Sequence, residues 1–309
     1  MNLIHGDCLE NVHGLRVFLA VADSLSFTRA AETLFLTQSA VSHQIGNLEK
    51  ELAVELFERS GRRVSLTPAG RALVTQARRV FATIDSAVDA VQQAGQGGQG
   101  RIRVGASATA CQYIIPEALR EFRECFPKYS LSIIPGDSPV SQEHLLAGTI
   151  DLAIMLRTER NRRLQFHPLF EDELQLIVSP LHPWAKAGHV DRRQIGSQSM
   201  ILYGRNSATF RLVEQYFAKM RIPLRDWIEL GDLSAIKELV KLGLGVSVMA
   251  RWVMLQDIRQ GSLVSLPLGG AKLKRHWCIS TVNGRKLSLP EQTFINLCQA
   301  AAAKIAKLT

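Results

Sequence analysis

Small polar side chains recur at helical spacing early in the chain, where they could form hydrogen bonds with nucleic-acid bases. Ser39, Ser42, His43 and Gly46 fall at positions i, i+3, i+4 and i+7, and Gln38 joins the same helix face. A helix that exposes short hydrogen-bonding side chains, in place of Lys/Glu pairs, suits the major groove of DNA. The spacing therefore predicts a recognition helix that begins near Gln38.

A basic segment follows this helix. Between Arg59 and Arg79 the chain carries six arginines and no acidic residue. Arg59, Arg62 and Arg63 lie in a turn-rich stretch, and the residues after them are compatible with a β wing. Guanidinium groups bind phosphates and enter narrow minor grooves, although an isolated arginine cluster is usually only a solvated loop. Beside a recognition helix, the cluster favours a DNA-binding role.

Three predicted helices must position these groups. Ser26 can cap the second helix, and the small pair Ala30 and Ala31 lets two helices cross closely. The other apolar residues expected to face inward are Leu15, Phe18, Leu19, Ala22, Phe27, Leu34, Val41, Ile45, Leu48 and Leu52. The residues expected to contact DNA are Ser26, Thr28, Thr37, Gln38, Ser39, Ser42, His43, Arg59, Arg62 and Arg63.

A fourth predicted helix begins at Pro68, directly after the potential N-cap Thr67. Apolar residues repeat along it at spacings of four and three: Leu73, Ala77, Val80, Ile84, Ala87 and Val91. This seam predicts a coiled coil between two chains, and the alternative is an amphipathic helix packed on its own domain. The following GxGxxG match at Gly95, Gly97 and Gly100 comes after a helix instead of a strand, so it indicates a flexible linker.

Strands and helices alternate after residue 100, which is typical of an α/β domain. A helix is predicted over residues 113–126, and apolar strands over 150–156 and 174–178, whose continuous apolar runs favour a parallel sheet. Hydroxyl-rich turns follow several strands, as at Ser107-Ala108-Thr109 and Asp137-Ser138. Ligands bind at such strand ends, although Ser and Thr at helix starts are commonly only N-caps.

Composition restricts the class of protein. The 309 residues are 46% hydrophobic and 21% charged, which predicts folded domains and excludes wholesale disorder. The net charge of +9 does not itself indicate DNA binding, because residues 1–100 hold nine Lys/Arg and ten Asp/Glu. Five scattered cysteines without a CxxC pair, and no export signal or membrane-spanning run, predict a cytoplasmic protein without a membrane partner.

Several sequence stretches resemble the LysR-type transcriptional regulators. In the first part these are residues 18–22, 24–31, 38–42, 56–59 and 66–70. In the second part they are residues 103–107, 150–154 and 242–246. The similarity covers essentially the whole chain, apart from an extension of about ten residues before the first predicted helix.

The resemblance implies a winged helix-turn-helix, a dimerising linker helix and a two-lobed α/β effector domain similar to type 2 periplasmic binding proteins. The expected boundaries are residues 1–67 for DNA binding, 68–94 for the linker helix, 95–100 for the hinge, and 101–309 for the effector domain. Within the effector domain, lobe one is expected to comprise residues 101–167 and 268–309, and lobe two residues 168–267. The chain would cross between the lobes near residues 165–168 and 266–270.

The resemblance also implies the function of a sequence-specific regulator controlled by a small molecule bound between the lobes. Its expected partners are double-stranded DNA at an interrupted inverted repeat, RNA polymerase, and further copies of itself in a dimer and tetramer. Hydroxyl groups with Arg157 or Arg205 nearby would suit an anionic effector. The residues expected to contact the effector are Ser107, Ala108, Thr109, Ser138, Arg157, Tyr203, Arg205 and Asn206.

Two other classes of function compete with this interpretation. An enzyme is disfavoured because the sequence contains no GxSxG, HExxH, Walker or metal-binding motif, and no cofactor or metal is predicted. Cys111 and Cys125 could form a redox pair, but buried thiols are commoner. An architectural DNA-binding protein is disfavoured because DNA binding alone would not need a large α/β region.

Overall fold

The computed structural model describes residues 8–60, 63–95, 99–157, 161–224 and 226–307. It divides into two compact units: Met1–Asp89 with Ala147–Thr149, and Ala90–Leu146 with Ile150–Thr309. None of the helices within the described ranges is long and apolar enough to span a membrane.

The first unit contains three helices, a two-stranded hairpin and a long helix. They are α1 (Cys8–Ser24), α2 (Phe27–Leu34), α3 (Gln38–Leu52), β1 (Phe57–Ser60), β2 (Arg63–Leu66) and α4 (Pro68–Gly95), whose last residues belong to the second unit. The three-helix arrangement and the β wing are therefore confirmed. Since α1 begins at Cys8, the helix includes residues assigned in sequence to the extension.

The core of the first unit comes from the predicted apolar stripes. Val41, Ile45 and Leu48 are buried on α3, and the small residues Ala30 and Ala31 are buried on α2. The prediction that Leu52 faces inward was wrong, because its side chain is 45% exposed. Leu52 is the last residue of α3, and the following residue, Ala53, adopts a left-handed conformation that ends the helix.

The second unit is α/β, as predicted. Its strands are β3 (Gly100–Ala106), β4 (Tyr129–Pro135), β5 (Leu152–Leu156), β6 (Leu164–Val178), β7 (Ser199–Tyr203), β8 (Asp226–Leu230), β9 (Ser247–Ala250), β10 (Val264–Leu266) and β11 (Leu273–Val282). Its helices are α5 (Ala108–Tyr113), α6 (Ile115–Cys125), α7 (Ser138–Ala147), α8 (Pro183–Ala187), α9 (Ala208–Lys219), α10 (Leu233–Lys241), α11 (Leu255–Arg259) and α12 (Leu289–Ala306). Two 3₁₀ helices span Arg192–Ser197 and Arg251–Met254.

Two predicted elements of this unit needed correction. The helix expected over residues 113–126 is α6, which begins at Ile115 with Pro116 in its first turn, and the separate helix α5 before it was not predicted. The short strand expected over residues 174–178 is the C-terminal end of the 15-residue β6.

The main sheet has seven strands in the order β10-β6-β11-β5-β3-β4, with β9 also paired to β6. Strand β3 runs parallel to β4 and β5, whereas β11 runs antiparallel to β5 and β6. The expected parallel sheet is therefore mixed. Because β6 and β11 pair along their length, one sheet continues through both predicted lobes, and the lobe boundaries stay predictions.

A second, two-stranded parallel sheet contains β7 and β8, and a bridge joins Met200 to Val246. Buried side chains of the second unit, among them Phe122, Phe217 and Phe294, form a continuous apolar core. This core fixes the strand ends, which surround the cavity described below.

Candidate DNA interface and effector cavity

The polar face of α3 is accessible because its apolar face is fixed in the core. Gln38, Ser39 and His43 are exposed and Ser42 is half-buried. Gln38 Nε2 donates to Ser42 Oγ at 3.3 Å, so these two side chains are coupled on the surface. The face presents donors and acceptors without an ion pair to compete for them, among the residues that the structure describes.

Ser26 and Thr37 cap the helices of this motif. Ser26 Oγ accepts from the backbone N–H of Arg29, and Thr37 Oγ1 accepts from that of Ala40. Thr37 Oγ1 also lies 3.0 Å from Ser39 Oγ. These hydroxyls therefore have a structural role that is independent of DNA, whereas Thr28 is exposed near the start of α2.

Two residues of the same face were missed from the sequence. Asn47 and Lys50 are exposed one and two turns beyond His43, and Asn47 Nδ2 lies 3.4 Å from His43 Nδ1. Extending the i+4 series Ser39, His43 by one step reaches Asn47. The signal was therefore present in the spacing.

The hairpin of β1 and β2 forms the wing. Arg63 is exposed at the start of β2 and pairs with Ser60, and Arg59 pairs with Val64 through the backbone. Arg62 and the side chain of Arg59 lie outside the described residues. Glu49 Oε1 accepts from the backbone N–H groups of Leu56 at 2.8 Å and Phe57 at 3.3 Å, so a side chain of α3 holds the start of the wing.

The predicted seam of α4 divides into two parts. Leu73 and Ala77 pack into the core of the first unit, as the alternative of a helix packed on its own domain predicts. The later residues are exposed, with exposed fractions of 39% for Val80, 39% for Ile84 and 73% for Val91. Ala87 is also exposed, and Val88, which the sequence analysis missed, widens the apolar stripe.

A cavity of about 440 Å³ opens at the strand ends of the second unit. Seven of the eight predicted effector residues line it: Ser107, Ala108, Thr109, Ser138, Tyr203, Arg205 and Asn206. Ser107 Oγ also caps α5 by accepting from Ala110 N. Ser138 Oγ, which is buried, accepts from the backbone N–H of Leu156. Ser107 therefore both caps a helix and lines the cavity, whereas the Ser138 hydroxyl joins the start of α7 to the end of β5.

Neither arginine selected from the sequence is a free cation in this cavity. Arg157, which follows β5, is not among the lining residues. Its guanidinium lies 5.5 Å from the centre of the Phe166 ring. Arg205 lines the cavity, but its Nε lies 3.5 Å from Glu229 Oε2 and its guanidinium stacks on Trp227.

The arginine that was missed is Arg275 on β11. It is 5% exposed and forms a two-pronged ion pair with Asp172 of β6, with Nε to Oδ1 at 2.9 Å and Nη2 to Oδ2 at 2.5 Å. The indole N–H groups of Trp252 and Trp277 also donate to Asp172 Oδ2. In sequence Arg275 stands between the exposed Lys274 and His276, so its neighbours gave the signature of a solvated segment.

The described part of the chain contains free cysteines but no side-chain cluster that could hold a metal ion. Cys111 and Cys125 are free cysteines, and burial raises the pKa of the Cys111 thiol, which disfavours the thiolate. No group of three or more His, Cys, Asp or Glu side chains is placed to hold a metal ion in the ranges that the structure covers.

Known proteins match both units. Residues 12–71 match the family model "Bacterial regulatory helix-turn-helix protein, lysR family", and residues 95–303 match "LysR substrate binding domain". The transcriptional activator CmpR of Synechocystis sp. is 30% identical over 92% of this chain and 93% of its own length. The regulator CfxR of Cupriavidus necator is 30% identical over 89% of this chain and 86% of its own.

The solved structure of full-length CbnR with its target DNA has the same fold, with a TM-score of 0.65 and 22% identity over 94% of this chain and 99% of that chain. The matched relatives are regulators and not enzymes. The helix-turn-helix, the effector domain and the matches over both units lead to one conclusion: this chain belongs to the LysR family of DNA-binding transcriptional regulators.

Proposed function

We propose that α3 reads base edges in the major groove through Gln38, Ser39, Ser42, His43 and Asn47. The observation that carries this proposal is the polar exposed face of α3 opposite a fully packed apolar face. Such side chains form hydrogen bonds to base edges, whereas arginines hold the phosphate backbone. Arg59, Arg62 and Arg63 take the second role in the wing, and Ser26, Thr28 and Thr37 contact DNA at the helix starts.

The exposed part of the α4 seam supports a dimer of two chains. Val80, Ile84, Ala87 and Val91 would lie against the same residues of a second copy, which removes their apolar surface from water. A two-fold dimer places two recognition helices on an inverted repeat. Pairing of dimers into a tetramer and contact with RNA polymerase complete the proposed assembly, which works in the cytoplasm.

The cavity of the second unit is the proposed effector site. Its volume suits a small ligand, and several of its lining side chains are hydroxyls with a hydrogen to donate. An anionic effector fits these donors. We place the domain boundaries after residues 67, 94 and 100. Lobe one of the effector domain comprises residues 101–167 and 268–309, and lobe two comprises residues 168–267. A ligand bound between the lobes changes dimer packing and DNA bending.

A footprint on the DNA upstream of the gene tests the DNA-binding part. A dimeric regulator protects two half-sites one helical turn or a multiple of it apart. Uniform protection without half-sites would instead indicate an architectural DNA-binding protein. Ile84→Asp should remove the joint protection of both half-sites, and Thr75→Asp, on the opposite face of α4, is the control.

A thermal-shift screen of a metabolite library tests the effector part. A ligand that raises the melting temperature of the full chain should fail to do so in Ala108→Trp, where the larger side chain fills the cavity. Equal shifts in both proteins would place the ligand outside the cavity.

A further inference from the structure

Arg275 faces the cavity with hydrogen-bonding capacity that the protein leaves unused. A guanidinium carries five N–H donors. Nε and one N–H of Nη2 bind Asp172, and one N–H of Nη1 donates to Thr209 Oγ1 at 2.9 Å. The other two N–H groups have no partner in the described part of the chain, although Arg275 is 5% exposed and lines the cavity. Because Arg275 lines the cavity, these two N–H groups are available to an acceptor of a bound ligand.

The ion pair with Asp172 holds Arg275 in place. Asp172 accepts four N–H groups, two from Arg275 and one each from Trp252 and Trp277. With its carboxylate bound on every side, Asp172 keeps its position, and the planar guanidinium keeps a fixed orientation. The two N–H groups left on Nη1 and Nη2 therefore form a free edge of Arg275 with a fixed position.

Two hydroxyls lie beside this edge. The Tyr203 hydroxyl has no hydrogen-bond partner among the described residues and lines the same cavity. Burial raises the pKa of Tyr203 to about 12, so the group stays protonated and can donate. Thr209 Oγ1 accepts from Arg275, which leaves the Thr209 hydrogen free to donate.

An acidic side chain of the protein already occupies the adjacent start of α9. Asp137 Oδ2 accepts from the backbone N–H of Ala208 at 3.2 Å, and Asp137 Oδ1 accepts from that of Ser138 at 2.7 Å. Its carboxylate thus joins the first residues of α7 and α9. Ala208 and Thr209 are consecutive, so Asp137 and Arg275 bind neighbouring residues of the same helix start.

We propose that Arg275, Tyr203, Thr209 and the Ala208 N–H form an oxyanion subsite for a carboxylate or phosphate group of the effector, and that Asp137 competes with that group. The inference rests on the proposed effector function of the cavity. In this proposal Arg275, and not Arg157 or Arg205, binds the anionic group of the ligand. It also makes Asp137 an internal carboxylate that a ligand anion has to displace from α9.

Asp137→Asn tests the proposal because it should increase the affinity for anions, and a misfolded protein would not bind them more tightly. The probes are succinate and inorganic phosphate, titrated into the full chain by calorimetry at constant ionic strength, with chloride as the reference ion. Removing a like charge next to the subsite should tighten binding of at least one probe about tenfold. Glu229→Gln removes another cavity carboxylate, which pairs with Arg205, and should change the affinity little.

Arg275→Lys completes the test, because it keeps the charge for Asp172 but loses the planar fork. We expect it to weaken binding of the probe that wild type prefers, while circular dichroism shows a folded protein. Tighter binding of phosphate assigns a phosphate-bearing effector, and tighter binding of succinate assigns a carboxylate; both support the proposal. An unchanged affinity in Asp137→Asn, or an equal gain in Glu229→Gln, would overturn it.

Ala108→Trp separates this inference from the proposed function. If Ala108→Trp abolishes probe binding and Asp137→Asn has no effect, the cavity is a ligand site and only the oxyanion subsite is wrong. If Ala108→Trp binds the probes as wild type does, the anions bind outside the cavity and both proposals fail.

Discussion

The face of α3 and the effector cavity are built in opposite ways. The α3 face lies on one helix, its side chains are exposed or half-buried, and their supporting contacts come from a separate apolar face. The cavity takes side chains from many strand ends, and below it Arg275 and Asp172 are buried together. Substitutions on α3 should therefore change DNA binding at little cost in stability, whereas those beneath the cavity should change both.

The largest effect is expected for Asp172→Ala. The change leaves Arg275 buried without its counter-ion and two indole N–H groups without an acceptor. Breaking one partner of a buried pair costs about 3–5 kcal/mol of unfolding free energy. Urea denaturation followed by circular dichroism measures it. The neighbouring Glu171→Ala removes an exposed ion pair with Lys274 and is the control, with little change expected. Equal losses of unfolding free energy in the two variants would contradict the claim that the buried pair beneath the cavity stabilises the fold.

The next effect concerns the exposed seam of α4. Ile84→Asp with Val91→Asp places charges where apolar side chains should meet, so the dimer dissociation constant should rise by about 100-fold or more. Sedimentation velocity measures the association, and Thr75→Asp on the opposite face of α4 is the matched variant. Wild-type assembly in the double variant would refute the predicted seam.

A smaller effect is expected at the wing. Arg63 is exposed, so Arg63→Ala should leave the fold intact and weaken binding to specific and non-specific DNA alike. The slope of log affinity against log salt should fall by about one unit, because one phosphate contact is lost. Anisotropy titrations at several salt concentrations test this. An unchanged slope would mean that Arg63 does not contact the backbone.

The smallest effect is a gain in stability at the turn between α2 and α3. Phe35 is 96% exposed and has a left-handed conformation with φ of 55°, while its N–H caps α2. Asn tolerates this conformation better than an aromatic residue, so Phe35→Asn should raise the unfolding free energy by about 0.5–1 kcal/mol. Thermal denaturation checks the sign. A loss of stability would show that the ring has a contact that compensates for its conformation.

The two regions also differ in how far the sequence predicts them. The face of α3 follows from spacing within 15 residues, because the backbone of one helix decides which side chains are neighbours. The prediction that Leu52 faces inward was wrong because periodicity does not show whether the last residue of a helix has a neighbour that covers it. At the cavity, the hydroxyls after strands were predicted because strand ends meet at one edge of a sheet.

The charged residues that matter at the cavity could not be predicted from the sequence. Asp172 and Arg275 are 103 positions apart and become partners only because β6 and β11 pair. Strand alternation buries Arg275 between the exposed Lys274 and His276, but in sequence the three residues form one run of basic side chains. Arg157 and Arg205 were selected for their positions near strand ends, and their pairing with Phe166 and Glu229 depends on tertiary structure.

The most direct test of the central claim is a competition measured by fluorescence anisotropy. Wild type and Ser42→Ala are titrated on the DNA upstream of the gene, against a scrambled sequence, at two salt concentrations. If α3 reads bases, wild type prefers the native DNA, and Ser42→Ala loses about 1–3 kcal/mol of that preference while its salt dependence is unchanged. Equal binding of both DNAs by wild type, or an undiminished preference in Ser42→Ala with unaltered affinity, would contradict the assignment of specificity to this face.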